Sequence, residues 1–353
     1  MLKFKKISLI ITGLVLMLAL NCIAAEKKAP LRPRSGQADP FKQNKHIGRG
    51  MNIANALEAP NEGEWGVTLK EEYFKIIKDA GFDSVRIPIR WSNHALKQSP
   101  YTIDKVFLDR VDWAVKNALK NNLYVIINTH HYFELMDEPN ANSERFLALW
   151  QQIAEHYKDY PDSVLLEPLN EPHNALTPAI WNNLLNKAIT VIRRSNPNRT
   201  IIAEPAEFAS VKFLDKLDLP EEDRNIIVSF HYYSPMEFTH QGTSWIPEAK
   251  ASWLGTRWTA TKEQKKAIDD AFDKAAKWGK KNKRPINLGE FGVYKDADKN
   301  DRALWTAFVA KSAVKRGFSF DYWEFCHEYF GAYDQQTNKW KDYLLKALIP
   351  PKK

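Results

Sequence analysis

The sequence predicts a (β/α)8 TIM barrel in a single domain, and three observations carry that expectation. Short β-rich runs alternate with amphipathic helical stretches from about residue 45 onward, the pattern of a parallel sheet with crossover helices. Eight such runs fit into about 300 residues, the size of a closed barrel. No βα turn is Gly-rich, as the phosphate-binding turn of a doubly wound sheet would be.

The strands are read in order as HIGRGMNI (46–53), FDSVRIPI (82–89), LYVIINTH (123–130), SVLLEPLN (163–170), RTIIAEP (199–205), NIIVSFH (225–231), PINLGEF (285–291) and FSFDYWEF (318–325). Helical periodicity covers 68–81, 104–122, 143–160, 177–196, 261–281 and 299–317. Gly81 and Gly317 stand directly before strands, where helices end on a left-handed residue. Pro168 lies inside the fourth run and cannot donate a ladder hydrogen bond, so a local bulge is expected there.

Ahead of the barrel, Lys3, Lys5 and Lys6 precede an apolar run from Ile7 to Leu20 and a small-residue exit at Ala24-Ala25. This is the layout of a cleaved export signal, residues 1–25, and the run is short for a membrane span. The expected destination is secreted, periplasmic or cell-envelope, the alternative being a lipoprotein anchored through Cys22. Residues 26–42 are polar and proline-containing and read as a tether, which leaves 43–350 as the barrel domain. A fully processed form would keep only Cys326, so no internal disulfide is expected. The formal charge of +8 is scattered rather than gathered into a basic block with interleaved aromatics, which argues against nucleic-acid binding. The 12 Trp residues fit core packing and also fit a cleft that stacks sugar rings.

A barrel gathers its chemistry where the strands end. There the sequence places Arg86, then His130-His131, Asn170-Glu171-Pro172, His231-Tyr232-Tyr233, Glu290 and Trp323-Glu324. Each alone has an ordinary explanation: a satisfied core histidine, a glutamate opening a helix, a packed tryptophan. Their coincidence at equivalent strand ends points to a site. Glu171 and Glu290 end strands on opposite sides of the mouth, and paired carboxylates suit hydrolysis of a glycosidic bond: one protonates the leaving oxygen and the other attacks the anomeric carbon.

The motifs SVRIPIRW, NTHH, LNEP, HYY, GEFG and YWEF, in this order, resemble glycoside hydrolase family 5 over roughly residues 41–349. The runs GRGMNIANALEAPNEGEWG, RFLALWQQIAEHYKDYP and EFTHQG look most like its compact bacterial endo-β-1,4-glucanases, a branch in which some members also cleave β-1,4-mannan. The resemblance implies a retaining double displacement with no metal and no organic cofactor. It implies Glu171 as acid/base, holding a proton at working pH, and Glu290 as an ionised nucleophile supported by Arg86 and Tyr233. Asn170 matches the contact to the sugar 2-hydroxyl, His130, His131 and His231 line the same subsite, and Trp323 matches the platform beneath the sugar. Asn55, Glu58, His240 and Trp245 resemble more distant substrate contacts.

The expected partner is a β-linked polysaccharide or oligosaccharide, and a monomer is expected. No sugar-binding module follows Pro350 in this sequence, so soluble or amorphous substrate is expected. The competing readings are a mannanase, a sugar-binding protein that has lost its chemistry, and a metal-dependent barrel hydrolase using His130, His131 and His231. The last lacks a paired His-x-His on an early strand.

Overall fold

Eight short parallel strands close into a barrel in sequence order, β8 hydrogen-bonding back to β1. They are β1 (Arg49–Asn52), β2 (Ser84–Ile87), β3 (Tyr124–Asn128), β4 (Val164–Glu167), β5 (Ile201–Ala203), β6 (Ile226–His231), β7 (Ile286–Glu290) and β8 (Ser319–Tyr322). The structure, a computed structural model, describes residues 39–351. The expected export signal, Cys22 and most of the expected tether lie outside the described residues. Helices at Glu71–Asp79, Lys105–Lys120, Pro139–Tyr157, Pro178–Ser195, Lys262–Asn282 and Lys299–Lys315 form the outer ring, within a few residues of the predicted periods. Between β5 and β6 only short helical turns intervene, where the sequence shows no helical period. Gly81 and Gly317 have φ of +99° and +75°, the left-handed geometry expected of them.

Strand side chains alternate between two faces, and this alternation sorts the sequence into layers. Ile126, Leu165, Ile202 and Ile227 form a closed apolar layer inside the barrel. Their neighbours Val125, Ile127, Val164, Leu166, Ile201 and Val228 face outward into the large core shared with the helices. Two residues beyond the inner apolar layer, in the same pleat phase, come Asn128, Glu167, Glu204 and Ser229, all buried. A polar tier therefore sits directly on an apolar floor.

The floor is sealed from below by a helix that the sequence reading missed. Pro40–Ile47 is helical, capped where the Phe41 N–H donates to Asp39 Oδ1 at 2.9 Å, so a helix begins inside the stretch read as tether. Its polar composition conceals two anchors. Ile47 is fully buried and joins the inner apolar layer. Asn44 Nδ2 donates to the Ile286 and Gly317 carbonyls, and its Oδ1 accepts from Ser319 Oγ at 2.7 Å.

Pro168 also differs from expectation: β4 stops at Glu167, so the proline follows the strand without bulging it. Its carbonyl accepts the Trp150 indole N–H at 2.9 Å. Trp91 caps the Asn128 carbonyl and Trp181 the Glu204 carbonyl in the same way. These fully buried tryptophans pay for strand-end polarity in the core, satisfying acceptors that the ladder leaves free. The register shift instead falls between β6 and β7, where Phe230 pairs with Leu288 but His231 pairs with Glu290. Such irregularities re-aim side chains beside functional sites.

Truncating Ile47 to Ala should destabilise the barrel by about 2–5 kcal/mol, the usual cost of an emptied buried aliphatic site. Chemical denaturation checks this; an unchanged midpoint would mean that the helix does not seal the floor.

Candidate active site

Arg86 stands at the centre of the polar tier, fully buried, and each of its five N–H donors has a partner. Nε and Nη2 grip Glu167 Oε2 and Oε1 at 2.9 and 2.6 Å. Nη2 also reaches Asn170 Oδ1 at 2.7 Å, while Nη1 reaches Asn52 Oδ1 at 2.9 Å and Glu290 Oε1 at 2.8 Å. Burial alone would loosen the guanidinium proton, but the charges of Glu167, Glu290 and Glu204 outweigh it and hold the pKa well above that of a free arginine. Arg86 is a fixed cation.

Glu290 closes β7 and is buried. Its Oε1 is held by Arg86 and its Oε2 by the Tyr233 hydroxyl at 2.9 Å. Burial raises its pKa, while His231 and Arg86 pull it back towards the ionised form. Both glycines of the GEFG motif owe their place to close approach. A Cβ on Gly289 would meet His231 Nε2 at 2.9 Å and Ser229 Oγ at 2.5 Å, and one on Gly292 would meet the Trp323 carbonyl at 2.1 Å.

Glu171 lies across the mouth, four residues past the end of β4, in the left-handed region at φ +46°. A non-glycine residue there costs of order 1–3 kcal/mol unless its surroundings hold it. Glu204 Oε2 accepts its N–H at 2.7 Å, the following Pro172 carbonyl accepts from Phe208 N–H, and Asn170 N–H donates to the Thr129 carbonyl. The Glu171 side chain remains 25% exposed, which leaves it open to a ligand. Glu171, His231 and Glu290 each bring an atom to within 4.8 Å of the other two.

The other predicted residues arrange themselves around this pair. His130 is buried and lies flat against Trp323, with centroids 5.4 Å apart and planes 6° from parallel. Asn128 Nδ2 donates to its Nδ1, which leaves the proton on Nε2, 4.0 Å from Glu290. Burial and the neighbouring positive groups push the His130 pKa well down, and burial lowers those of His131 and His240 to about 4. His131 extends the aromatic row to the exposed Phe133 and to Trp65. His240 packs edge-on behind Tyr233. Trp245 is 54% exposed and leans on Tyr294 and Tyr329 at the rim.

Glu58 departs from expectation. It is 1% exposed, and its carboxylate accepts the backbone N–H groups of Asn55 and Ala56. Burial pushes its pKa up to about 7. It braces its own loop, holding Asn55 in a left-handed turn at φ +62°, rather than lying open to a ligand. His130, His131 and His231 likewise do not converge on a common point, since both ring nitrogens of His231 face carboxylates. Glu171, His231 and Glu290 form the one grouping among the described residues close enough to share a cation, and there Arg86 already provides the positive charge.

Sequence reading missed Glu167 and Glu204, although each carries a signal: a carboxylate in an apolar strand run, directly before proline. It also missed Phe208, 53% exposed and stacked on His173 at 4.2 Å. Phe208 is placed by three successive left-handed residues, Glu207 to Ala209, and no glycine in the sequence announces such a turn.

A parallel barrel whose mouth holds two glutamates this close, one on a cation and a phenol and the other half open, defines a hydrolase of the paired-carboxylate class. Comparison with known proteins gives the family. A profile described as Cellulase (glycosyl hydrolase family 5) matches residues 43–328, and the chain belongs to that family. It is 36% identical over 320 residues to endoglucanase H of Acetivibrio thermocellus, an alignment covering 89% of this chain and 34% of that protein. The chain thus spans about a third of the length of that curated relative. Thermotoga maritima Cel5A, solved in complex with cellobiose, superposes with a TM-score of 0.86 at 51% identity, covering 88% of this chain and 100% of the other. The same enzyme solved with mannotriose gives the same values.

Replacing Glu167 with Gln should destabilise the fold by about 3–5 kcal/mol, the cost of removing one member of a buried ion pair. Equilibrium unfolding reads this directly, and a loss below about 1 kcal/mol, the worth of an exposed pair, would show that Arg86 does not depend on it.

Proposed function

We propose that the chain is an endo-β-1,4-glucanase that hydrolyses internal bonds by a retaining double displacement, with Glu290 as nucleophile and Glu171 as acid/base. The observation that carries this reading is the approach of the two carboxylates to within 4.8 Å. Retaining enzymes hold theirs about 5–5.5 Å apart, whereas inverting enzymes open about 6.5–9.5 Å to admit a water.

In the first step Glu290 attacks the anomeric carbon while Glu171 protonates the departing oxygen. In the second, Glu171 takes a proton from water as water displaces Glu290. Arg86 and Tyr233 hold Glu290 in line and favour its ionised form. Asn170, fixed by Arg86, faces the 2-hydroxyl, and Trp323 with His130 behind it offers a flat platform for the ring. His131 and Asn55 extend the sugar contacts on one side and His240 and Trp245 on the other. The reaction needs no metal or organic cofactor.

The main substrate is a β-1,4-glucan, with mannan or glucomannan as a secondary substrate. The names of the relatives support the first part, and the mannotriose complex of Cel5A supports the second. The basic and apolar N-terminal segment supports export, and no helix among the described residues is long and apolar enough to cross a membrane. The carboxylate pair and its supports all come from one chain, which fits action as a monomer.

Assaying the purified protein on carboxymethyl cellulose, mixed-linkage β-glucan, glucomannan, galactomannan and xylan tests the substrate. Highest turnover on the glucans is expected; highest turnover on galactomannan would make it a mannanase. Glu290→Ala should lose at least about 10³-fold in kcat, given what a nucleophile contributes, and wild-type turnover would overturn the assignment. Tyr233→Phe removes a donor to ionised Glu290, which raises its pKa. The acid limb of the kcat/KM profile should then move to higher pH.

A further inference from the structure

His231 is placed between two carboxylates, one at each ring nitrogen. Nδ1 lies 2.8 Å from Glu171 Oε1. Nε2 lies 2.9 Å from Glu204 Oε1, an ion-pair contact bent away from the line of a directed hydrogen bond. A neutral imidazole carries one N–H and one lone pair, so once Glu171 has given up its proton one of these contacts would set a lone pair against an anionic oxygen. An imidazolium presents a proton at both. The side chain is only 2% exposed, so water cannot fill in for a missing proton. Gly289 packs so closely against the ring that even a Cβ would collide with it.

We propose that Glu204 is a positioning residue that holds His231 as a permanent imidazolium, so that a fixed cation faces Glu171 when that carboxyl gives up its proton. The proposal rests on the reading of Glu171 as acid/base. In the first step the Glu171 O–H proton passes to the glycosidic oxygen. The C1–O bond breaks with its electron pair going to that oxygen, and Glu290 forms the new bond to C1. One negative charge disappears at Glu290 as another appears at Glu171. His231 Nδ1 lies 3.7 Å from Glu290 Oε2 and 2.8 Å from Glu171 Oε1, within reach of both ends of that transfer. Glu204 also holds the Glu171 N–H through its other oxygen, so one buried side chain sets both the backbone and the electrostatic partner of the acid.

The groups around the ring agree with this assignment. Glu171, Glu204 and Glu290 are the acids that face it. Arg86 approaches Glu204 at 3.7 Å, and Tyr233 and His130 contribute no negative charge. Burial by itself would lower the His231 pKa, but the charges of Glu204 and Glu290 and the hydrogen bond to Glu171 hold it well above 6.5. His130, His131 and His240, none of which has a carboxylate at hydrogen-bond distance, are pushed the other way.

The test compares kcat/KM on two aryl β-cellobiosides, one with a dinitrophenolate leaving group that departs unaided and one with a methoxyphenolate that needs a proton. Glu204→Gln should cost about 10²-fold on the second substrate, the low end of what general acid catalysis supplies, and far less on the first. Its alkaline limb should move to higher pH because ionised Glu171 loses its cation. Glu204→Asp, which keeps the charge, should recover part of both effects. Nitrogen-15 NMR of the histidine-labelled wild type should show both His231 nitrogens protonated at pH 8, an outcome independent of whether Glu204→Gln folds. Equal losses on the two substrates with an unmoved limb, or a neutral His231 in the wild type, would overturn the proposal. Glu171→Ala on the same pair separates the two layers. If that variant shows no preference for the activated leaving group, the acid/base reading fails and the proposal falls with it. If it does and Glu204→Gln does not, the proposal alone fails.

Discussion

The site depends on the complete satisfaction of one buried guanidinium. Arg86 has no contact with water, and a charge in that position is tolerable only with partners at bonding distance. Its five N–H groups meet Glu167, Glu290, Asn170 and Asn52. Those partners come from strands β1, β4 and β7 and from the segment just past β4, so one side chain ties opposite walls of the barrel together. A planar fork can do this and a lysine could not, because only the guanidinium has five donors in fixed directions. Glu290 inherits its orientation from this arrangement, as does Asn170.

The second constraint is layering. Because side chains alternate along each strand, the apolar residues Ile126, Leu165, Ile202 and Ile227 fix the phase for the polar residues two positions later. An aliphatic floor and a tier of Asn128, Glu167, Glu204 and Ser229 follow from one phase choice. The floor keeps water out from below, and Ile47 completes it. Above the tier the chain leaves strand geometry, and there the left-handed backbone of Glu171 and the register shift at His231 aim two side chains at one point. A low-dielectric base beneath preorganised charges is where fixed electrostatics act most strongly.

The barrel and the outline of its mouth were legible because alternation of period and motif order are long-range properties of the sequence. The strands and outer helices fall within a few residues of their predicted places, and Arg86, Asn170, Glu171, His231, Tyr233 and Glu290 do meet. What was hidden was hidden for local physical reasons. Glu167 and Glu204 are spent on partners far away in sequence, so neither stands out beside Asn-Glu-Pro. The helix at Pro40–Ile47 is mostly polar, its Phe41 is exposed, and only Ile47 plugs the barrel. Phe208 is presented by a backbone turn that its own sequence does not favour. Glu58 was expected among the substrate contacts from the family resemblance, and only the fold reveals that two amides of its own loop hold its carboxylate.

The central claim is that two carboxylates this close act by way of a covalent glycosyl–enzyme intermediate rather than through an intervening water. Following hydrolysis of a soluble β-1,4-oligosaccharide by proton NMR, before mutarotation sets in, tests it most directly. The account predicts that the β-anomer of the new reducing end appears first and the α-anomer follows by mutarotation. An α-anomer formed first would contradict it.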